Sequence, residues 1–181
     1  MSARPRASAA RLRAAAVTRL PARANLPIAV LGAGGFIGSH LVPALARRGT
    51  PVLAVDLNLD KLGPPVRGDA RVERIQARLD APGLLDDLTA RAGVVISLTA
   101  LCNPALYNTQ PLAVIDANYT DLVPLVKLCA ARGRRLIHFS TCEVYGRLAL
   151  DHEGRRMRRM DEDDTALFLG SIARERWTYA A

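Results

Sequence analysis

Three glycines at three-residue spacing follow an apolar run near the start of the sequence. Gly32, Gly35 and Gly38 come after Ile28–Leu31, and an apolar-periodic segment continues beyond them. This order predicts a buried strand, a tight turn and the first turn of a helix. Gly32 would permit the bend, Gly35 would let backbone amides approach a pyrophosphate, and Gly38 would let the helix lie close to the sheet. The pattern predicts a dinucleotide-binding site at a helix N-terminus.

Two aspartates stand where a bound dinucleotide would need polar contacts. Asp56 ends the next apolar run, 24 residues after Gly32. A carboxylate there can accept hydrogen bonds from ribose hydroxyls and would repel a 2′-phosphate, which favours NAD over NADP. Asp56 could instead only cap the segment that follows. Asp80 follows a third apolar run, where it could contact the adenine or cap a helix before Pro82.

The elements that would position these residues alternate along the chain. We predict strands at Ile28–Leu31, residues 51–56, Arg71–Ala77, residues 94–100 and Arg135–Ser140. We predict helices at Gly35–Arg48, Pro82–Arg91 and Pro111–Arg132. Pro124 should kink or split the last helix, because proline has no amide to donate. Alternating strands and helices predict an α/β fold, a doubly wound parallel sheet of about five strands with its ligand at their carboxyl ends.

Composition limits the other classes of function. The net charge is +8, but the first 27 residues hold six arginines and no acidic residue, so the rest carries only +2. That balance argues against nucleic-acid binding. No apolar run reaches the length of a membrane span. Cys102, Cys129 and Cys142 lack metal-ligand spacing, so we expect no bound metal and a reducing, cytoplasmic location.

The first 27 residues form a segment distinct from the rest. This stretch is rich in alanine and arginine. It could be a transit peptide, since those are rich in arginine and poor in acidic residues. We favour an extension without fixed structure, or a misassigned start, because the same enrichment continues further along. We therefore expect one dinucleotide-binding domain over residues 28–181.

Taken together, these motifs resemble the extended short-chain dehydrogenase/reductase family, the NAD-dependent epimerases and dehydratases of nucleotide sugars. The resemblance covers about Pro27 to Ala181 and rests on GAGGFIGSH at 32–40, the two aspartates and HFSTCEVYG at 138–146. It is nearest to the UDP-glucuronate decarboxylase branch. The local matches to that branch are Ser140–Gly146, the Asn103–Tyr107 loop and Arg176–Tyr179.

The resemblance assigns roles to particular positions. Thr141 matches the family's catalytic Ser/Thr, Tyr179 the tyrosine of its YxxxK motif, and Glu143 an active-site glutamate of decarboxylases and dehydratases. Pro104 and Tyr107 fall in a loop that contacts the sugar nucleotide in that branch. The remaining residues assigned to the cofactor are Phe36, Ile37, Leu98, Thr99 and Ala100. The resemblance implies NAD as cofactor, a nucleotide-sugar substrate such as UDP-glucuronate, and a possible homodimer.

Two departures from the family pattern affect the expected activity. The dehydratases carry an Asp-Glu pair where this sequence has Cys142-Glu143. This difference argues against a dehydratase activity and leaves simple epimerisation open. The motif lysine would fall at position 183, beyond Ala181, and the usual C-terminal substrate subdomain is also missing from the sequence. We therefore expect a truncated domain whose activity alone is doubtful. The alternative is a non-catalytic NAD-binding module with a regulatory or scaffolding role.

Overall fold

The computed structural model describes residues 26–145, which contain one five-stranded parallel sheet. The strand order is β3-β2-β1-β4-β5. The strands are β1 Ile28–Leu31, β2 Val52–Asp56, β3 Val72–Gln76, β4 Val94–Ser97 and β5 Arg135–His138. This arrangement confirms the expected doubly wound α/β fold. The order reverses beside β1, and in such sheets that reversal opens a crevice at the carboxyl ends of the strands.

The central strand β1 pairs on both sides. Ile28 is aligned with Val52 of β2 and with Val94 of β4. Most residues of β1, β2 and β4 are buried, because helices cover both faces of the sheet. The edge strands β3 and β5 are more polar and more exposed.

Helices on the two faces of the sheet enclose separate hydrophobic clusters. The helices are α1 Phe36–Arg47, α2 Pro64–Arg67, α3 Leu84–Arg91, α4 Leu106–Thr109, α5 Pro111–Ile115 and α6 Leu122–Ala131. Val42 of α1 and Val66 of α2 pack with Val30 on one face. Leu88 of α3 and Leu125 of α6 pack with the other face. Strand side chains alternate between the two clusters, as the pleat of a sheet requires.

The segment from Pro111 to Arg132 divides into two helices, as Pro124 predicts. A π-helical turn, Asp116–Thr120, separates α5 from α6. Within it the Asp121 amide donates to the Asp116 carbonyl at 2.9 Å, five residues back. Pro124 cannot donate to the Thr120 carbonyl, and its ring would clash with that carbonyl in an ideal helix. The wider turn ends at Thr120 and so relieves the conflict.

Several predicted boundaries shift at the carboxyl edge of the sheet. β4 ends at Ser97 instead of Ala100, because the next three residues turn away to line a cleft. β5 ends at His138, two residues early. α3 begins at Leu84 because Gly83, with φ at 77°, holds a left-handed conformation that no helix accommodates. Within residues 26–145, no helix combines the length and apolar character needed to cross a membrane.

Candidate functional site

A cleft of about 780 Å³ opens at the carboxyl edge of the sheet, where the strand order reverses. Its walls come from the loops after β1, β2, β3 and β4 and from α5 to α6. They include Gly32, Gly34, Gly35, Asp56, Leu57, Asn58, Ala77, Arg78, Leu79, Leu98, Thr99, Ala100, Leu101, Ala117 and Asp121. Both its place in the fold and its size suit a small-molecule or cofactor site.

The glycine turn brings the backbone closer to its neighbours than a side chain would allow. Gly32 has φ at 81°, and a β-carbon on it would lie 3.0 Å from the Leu98 carbonyl carbon. A β-carbon on Gly38 would lie 2.2 Å from the Gly32 carbonyl oxygen, so α1 approaches the turn only because Gly38 has no side chain. These contacts place the start of α1 directly beneath the cleft.

The start of α1 is suited to an anion. Gly35 is the N-cap residue, no side chain caps the helix, and its first turn carries no acidic residue. Phe36 and Ile37 occupy that first turn but point outward, and Phe36 is 80% exposed. Neither of their side chains lines the cleft, so any contact of these two residues with the cofactor would come from their backbone amides. The helix dipole favours negative charge at this position.

Gly34 is a functional position that the sequence reasoning missed. Its amide donates to the Asp56 Oδ2 atom at 2.9 Å. A β-carbon on Gly34 would lie only 1.7 Å from the Asn58 carbonyl oxygen. Gly34 therefore joins the loop after β1 to the loop after β2. The available signal was the first glycine of the Gly34-Gly35 pair, which the three-residue spacing rule passes over.

Asp56 lines the cleft and also organises its own loop. Its Oδ1 atom accepts the Asn58 amide at 3.2 Å, while its Oδ2 atom accepts Gly34. The sequence left a ribose contact and a cap on the next segment as alternatives; the structure shows a turn contact to the Asn58 amide and places Asp56 in the wall of the cleft. A carboxylate has about four acceptor positions, so about two remain for a ligand. Its contact with a ribose stays a prediction.

Asp80 does not line the cleft, whereas Arg78 does. Arg78 donates through Nε to the Asp80 Oδ1 atom at 3.0 Å, and this hydrogen bond lowers the pKa of Asp80 below its usual value. The helix-capping alternative for Asp80 is wrong, because α3 begins at Leu84 with Gly83 as its N-cap residue. The adenine contact of Asp80 stays a prediction. Sequence reasoning missed Arg78, since it considered only acidic residues at this position.

The opposite wall is formed by Leu98, Thr99 and Ala100, which follow β4. Leu98 is tied to the sheet by its amide, which donates to the Leu31 carbonyl at 2.9 Å. The Asn118 side chain holds Leu101, the residue after Ala100. Its Oδ1 accepts the Leu101 amide at 2.7 Å, and its Nδ2 donates to the Leu101 carbonyl at 3.3 Å. Asn118 was also missed, because a single polar residue in a helical stretch gives little signal.

Among the described residues assigned to substrate and catalysis, Pro104, Tyr107 and Thr141 do not line the cleft. Pro104 is exposed, whereas Tyr107 in α4 is only 8% exposed. Thr141 is half-buried and follows β5, at the same sheet edge as the cleft. Glu143 lies in the short 3₁₀ turn Cys142–Tyr145. Tyr179 lies outside the described residues, so the grouping of the three catalytic candidates stays a prediction.

Comparison with known families identifies the class to which this fold and cleft belong. The model of the NAD dependent epimerase/dehydratase family matches residues 28–167. The chain belongs to that family, and its cofactor is NAD. The glycine turn, the uncapped start of α1 and the Asp56 carboxylate fit such a cofactor, since they offer backbone amides for an anion and an acceptor for hydroxyl groups.

Two curated relatives match most of the length of this chain. The chain is 41% identical over 173 residues to the UDP-D-apiose/UDP-D-xylose synthase of Oryza sativa subsp. japonica, covering 87% of this chain and 43% of that protein. It is 41% identical over 170 residues to UDP-D-apiose/UDP-D-xylose synthase 1 of Arabidopsis thaliana, covering 86% and 43%. The chain therefore spans less than half the length of these relatives.

Solved structures agree with the fold. PbgP3 from Burkholderia pseudomallei superimposes with a TM-score of 0.73 at 29% identity, over 86% of this chain and 50% of that one. MoeE5 in complex with UDP-glucuronic acid and NAD gives a TM-score of 0.56 at 31% identity, over 66% and 38%. The resemblance to nucleotide-sugar enzymes inferred from the motifs is thereby confirmed.

Proposed function

We propose that the protein acts on UDP-glucuronate or a closely similar UDP-sugar acid, as an NAD-dependent oxidative decarboxylase. The observation that carries this proposal is the 41% identity to UDP-D-apiose/UDP-D-xylose synthases, which extends over 87% of the chain. The match to MoeE5, whose structure holds UDP-glucuronic acid and NAD, supports the same pairing of sugar acid and cofactor. Because the chain spans 43% of the relative, the activity is proposed for the whole protein.

The chemistry follows from the position of the carboxylate on the sugar. Bound NAD supplies a hydride acceptor for the C4 carbon. Loss of the C4 hydrogen and of the hydroxyl proton gives a 4-keto sugar whose C5 carboxylate is then β to a ketone. Such an acid loses carbon dioxide readily, because the electrons of the broken bond pass to the carbonyl group as an enolate. A proton delivered to C5 leaves a UDP-4-keto-pentose, and return of the hydride to C4 with a proton on its oxygen would give a UDP-pentose and the oxidised cofactor.

The chain's own groups would move the protons. Tyr179 would remove the C4 hydroxyl proton, and Thr141 would share a hydrogen bond with the same hydroxyl. Glu143 would orient the ring or deliver a proton to it. Thr141 and Glu143 both follow β5, next to β4 in the sheet, so they belong to the edge on which Leu98–Ala100 form a wall of the cleft.

The other assignments complete the proposal. Gly32, Gly35 and Gly38 would shape the pyrophosphate turn, with Asp56 on the ribose. Pro104 and Tyr107 would contact the sugar nucleotide from the loop after β4. We also keep the homodimer, the cytoplasmic location and the single domain over residues 28–181 as proposals, which follow from the family resemblance and the composition.

The test is conversion of UDP-glucuronate by the protein purified from its own source. Carboxyl-labelled UDP-glucuronate is incubated with NAD, released carbon dioxide is counted, and the sugar product is identified by NMR. We expect carbon dioxide and a UDP-pentose. Thr141→Val should lower the rate by about 100-fold, within the range for loss of one acid–base group. Thr109→Val removes an exposed hydroxyl in α4 that donates to the Ala105 carbonyl and should leave the rate unchanged.

Other outcomes would redirect the proposal. An epimerised UDP-hexuronate without carbon dioxide would replace decarboxylation by epimerisation. Tight NAD binding with no conversion of any UDP-sugar would support the non-catalytic module instead.

A further inference from the structure

The segment between β4 and α4 joins the two regions that we assign to the two ligands. Its first part, Leu98–Ala100, forms a wall of the cleft beside the glycine turn. Its second part, Asn103–Tyr107, carries Pro104 and Tyr107, which we propose to contact the sugar nucleotide. Leu101 lies between the two parts, so the position of its backbone affects both.

The Asn118 side chain binds both backbone groups of Leu101. Its Oδ1 atom accepts the Leu101 amide at 2.7 Å, and its Nδ2 atom donates to the Leu101 carbonyl at 3.3 Å. A residue in an antiparallel sheet bonds its partner through both groups in the same way. Because both bonds must break before Leu101 can turn, Asn118 fixes the direction in which the chain leaves the cleft wall.

The direction set at Leu101 is passed on to α4 through a tight turn at Asn103. The Asn103 Oδ1 atom accepts the Ala105 amide at 3.1 Å, and the Asn103 carbonyl accepts the Leu106 amide at 3.0 Å. Asn103 and Ala105 are exposed, whereas Tyr107 is only 8% exposed. The turn is bonded internally, and it is supported at its two ends, by Leu101 and by the buried Tyr107.

Asn118 belongs to a helical stretch that is anchored in the core. It lies in the π-helical turn Asp116–Thr120, between α5 and α6. Val114 of α5 and Leu125 of α6 are both fully buried, and Leu125 packs against the sheet. The Asn118 side chain therefore connects an exposed turn to a rigid support.

We propose that Asn118 is a positioning residue that prepares the cofactor site and the substrate site together. With Leu101 held, the wall and the turn already have the form that binds their ligands, so neither ligand has to order the segment. Without this tether, each ligand must order the whole segment, and the apparent affinity of each falls by the same factor. The substrate half of this inference rests on the proposed function.

A shared preparation of two sites has a thermodynamic signature that a local role lacks. In Asn118→Ala, the first ligand orders the segment, so the second ligand should bind with nearly the parental affinity. The coupling between the two ligands should therefore exceed the coupling in the parent by the factor that each single affinity has lost. The gain must be the same whichever ligand binds first.

The experiment titrates the whole protein by calorimetry with the reduced cofactor NADH and with UDP-glucuronate. Each ligand is titrated alone and after saturation with the other, and NADH replaces NAD because it cannot accept a hydride and so prevents turnover. We expect Asn118→Ala to weaken each ligand alone by about fivefold, and the presence of the other ligand to restore the affinity.

Thr120→Val is the matched control in the same π-helical turn. It removes a hydroxyl that donates to the Asp116 Oδ1 atom at 2.9 Å and does not touch Leu101. This variant should bind both ligands like the parent. Equal losses in Thr120→Val and Asn118→Ala would assign the effect to the helical turn and contradict the role of the tether.

Amide hydrogen exchange tests the same inference without the sugar. Peptides that cover residues 103–109 should exchange about fivefold faster in Asn118→Ala than in the parent, because the turn opens more often. NADH alone should restore the protection of these peptides, although we place the cofactor on Leu98–Ala100 and not on the turn.

Each other result contradicts a defined part of the inference. Weaker NADH binding with an unchanged affinity for UDP-glucuronate would confine the effect of Asn118 to the cofactor wall. Loss of both affinities without recovery, together with a lower unfolding temperature, would reduce the tether to general stability. If the parent itself binds no UDP-glucuronate, the proposed substrate is wrong and hydrogen exchange decides: no restored protection with NADH would then overturn the inference.

Discussion

The cleft and the segment after β5 share one edge of the sheet but are built differently. In the cleft, the loops are bonded to one another: Gly34 and Asn58 both donate to Asp56, and Asn118 holds Leu101. After β5, within the described residues, the chain passes through exposed positions into a single short 3₁₀ turn.

This difference separates the cleft from the segment that holds Thr141 and Glu143. The shape of the cleft is fixed by hydrogen bonds to the backbone and by close approaches that only glycine permits, all within residues 31–121. The position of Thr141 depends on the end of an edge strand whose residues are mostly exposed. We infer that the described residues define where NAD binds more sharply than they define the catalytic geometry.

The largest expected effect is on Gly34. Gly34→Ala places a β-carbon where the Asn58 carbonyl oxygen now lies 1.7 Å away, so one of the two loops must move and the bond to Asp56 is lost. We expect NAD binding to fall by at least about 100-fold and the free energy of unfolding to drop by about 1–3 kcal/mol, as for overpacking. Calorimetric titration and thermal unfolding measure the two quantities.

Gly68→Ala is the control for that substitution. Gly68 has no atom near the position of an added β-carbon and no left-handed φ, so the variant should bind and unfold like the parent. Normal NAD binding by Gly34→Ala would show that the contact between the two loops does not shape the site, so the cleft would not be more tightly fixed than the segment after β5.

A smaller effect is expected at Asn118. Asn118→Ala removes two hydrogen bonds to Leu101, each contributing about 0.5–1.5 kcal/mol. Part of that loss should appear in binding, because the Leu98–Leu101 wall loses its tether; about 1 kcal/mol corresponds to a fivefold weaker affinity for NAD. Titration of Asn118→Ala beside Asn108→Ala, an exposed position in α4, checks this. Equal affinities would mean that the wall holds its shape without the tether.

The sequence predicted the features that follow from the backbone conformation of particular residue types. The glycine turn and the break before Pro124 follow from residue types whose conformational limits are known, and the alternation of strands and helices follows from the apolar pattern. The family resemblance followed from the same motifs. These features are local, since each depends on a few consecutive residues.

The sequence was less informative where a role depends on distant partners. Gly34 matters because of the Asn58 carbonyl 24 residues later, and Asn118 because of Leu101. Asp80 has the expected charge and position along the chain, yet its carboxylate is taken by Arg78. Neither spacing nor composition shows which of two neighbouring side chains turns into a cleft.

The smallest perturbation uses the three native cysteines as probes of the two regions. Cys102 and Cys142 are exposed, beside the cleft wall and after β5 respectively, whereas Cys129 in α6 is 2% exposed. Burial also raises the pKa of the Cys129 thiol above its usual 9.0, so less of it is the reactive thiolate at neutral pH. A thiol reagent should therefore modify Cys102 and Cys142 about 100-fold faster than Cys129, whose reaction requires local opening.

Mass spectrometry of peptides from timed samples gives the three rates. If Cys142 reacts as slowly as Cys129 in the whole protein, the segment after β5 is covered and as well fixed as the cleft, and the contrast between the two regions disappears.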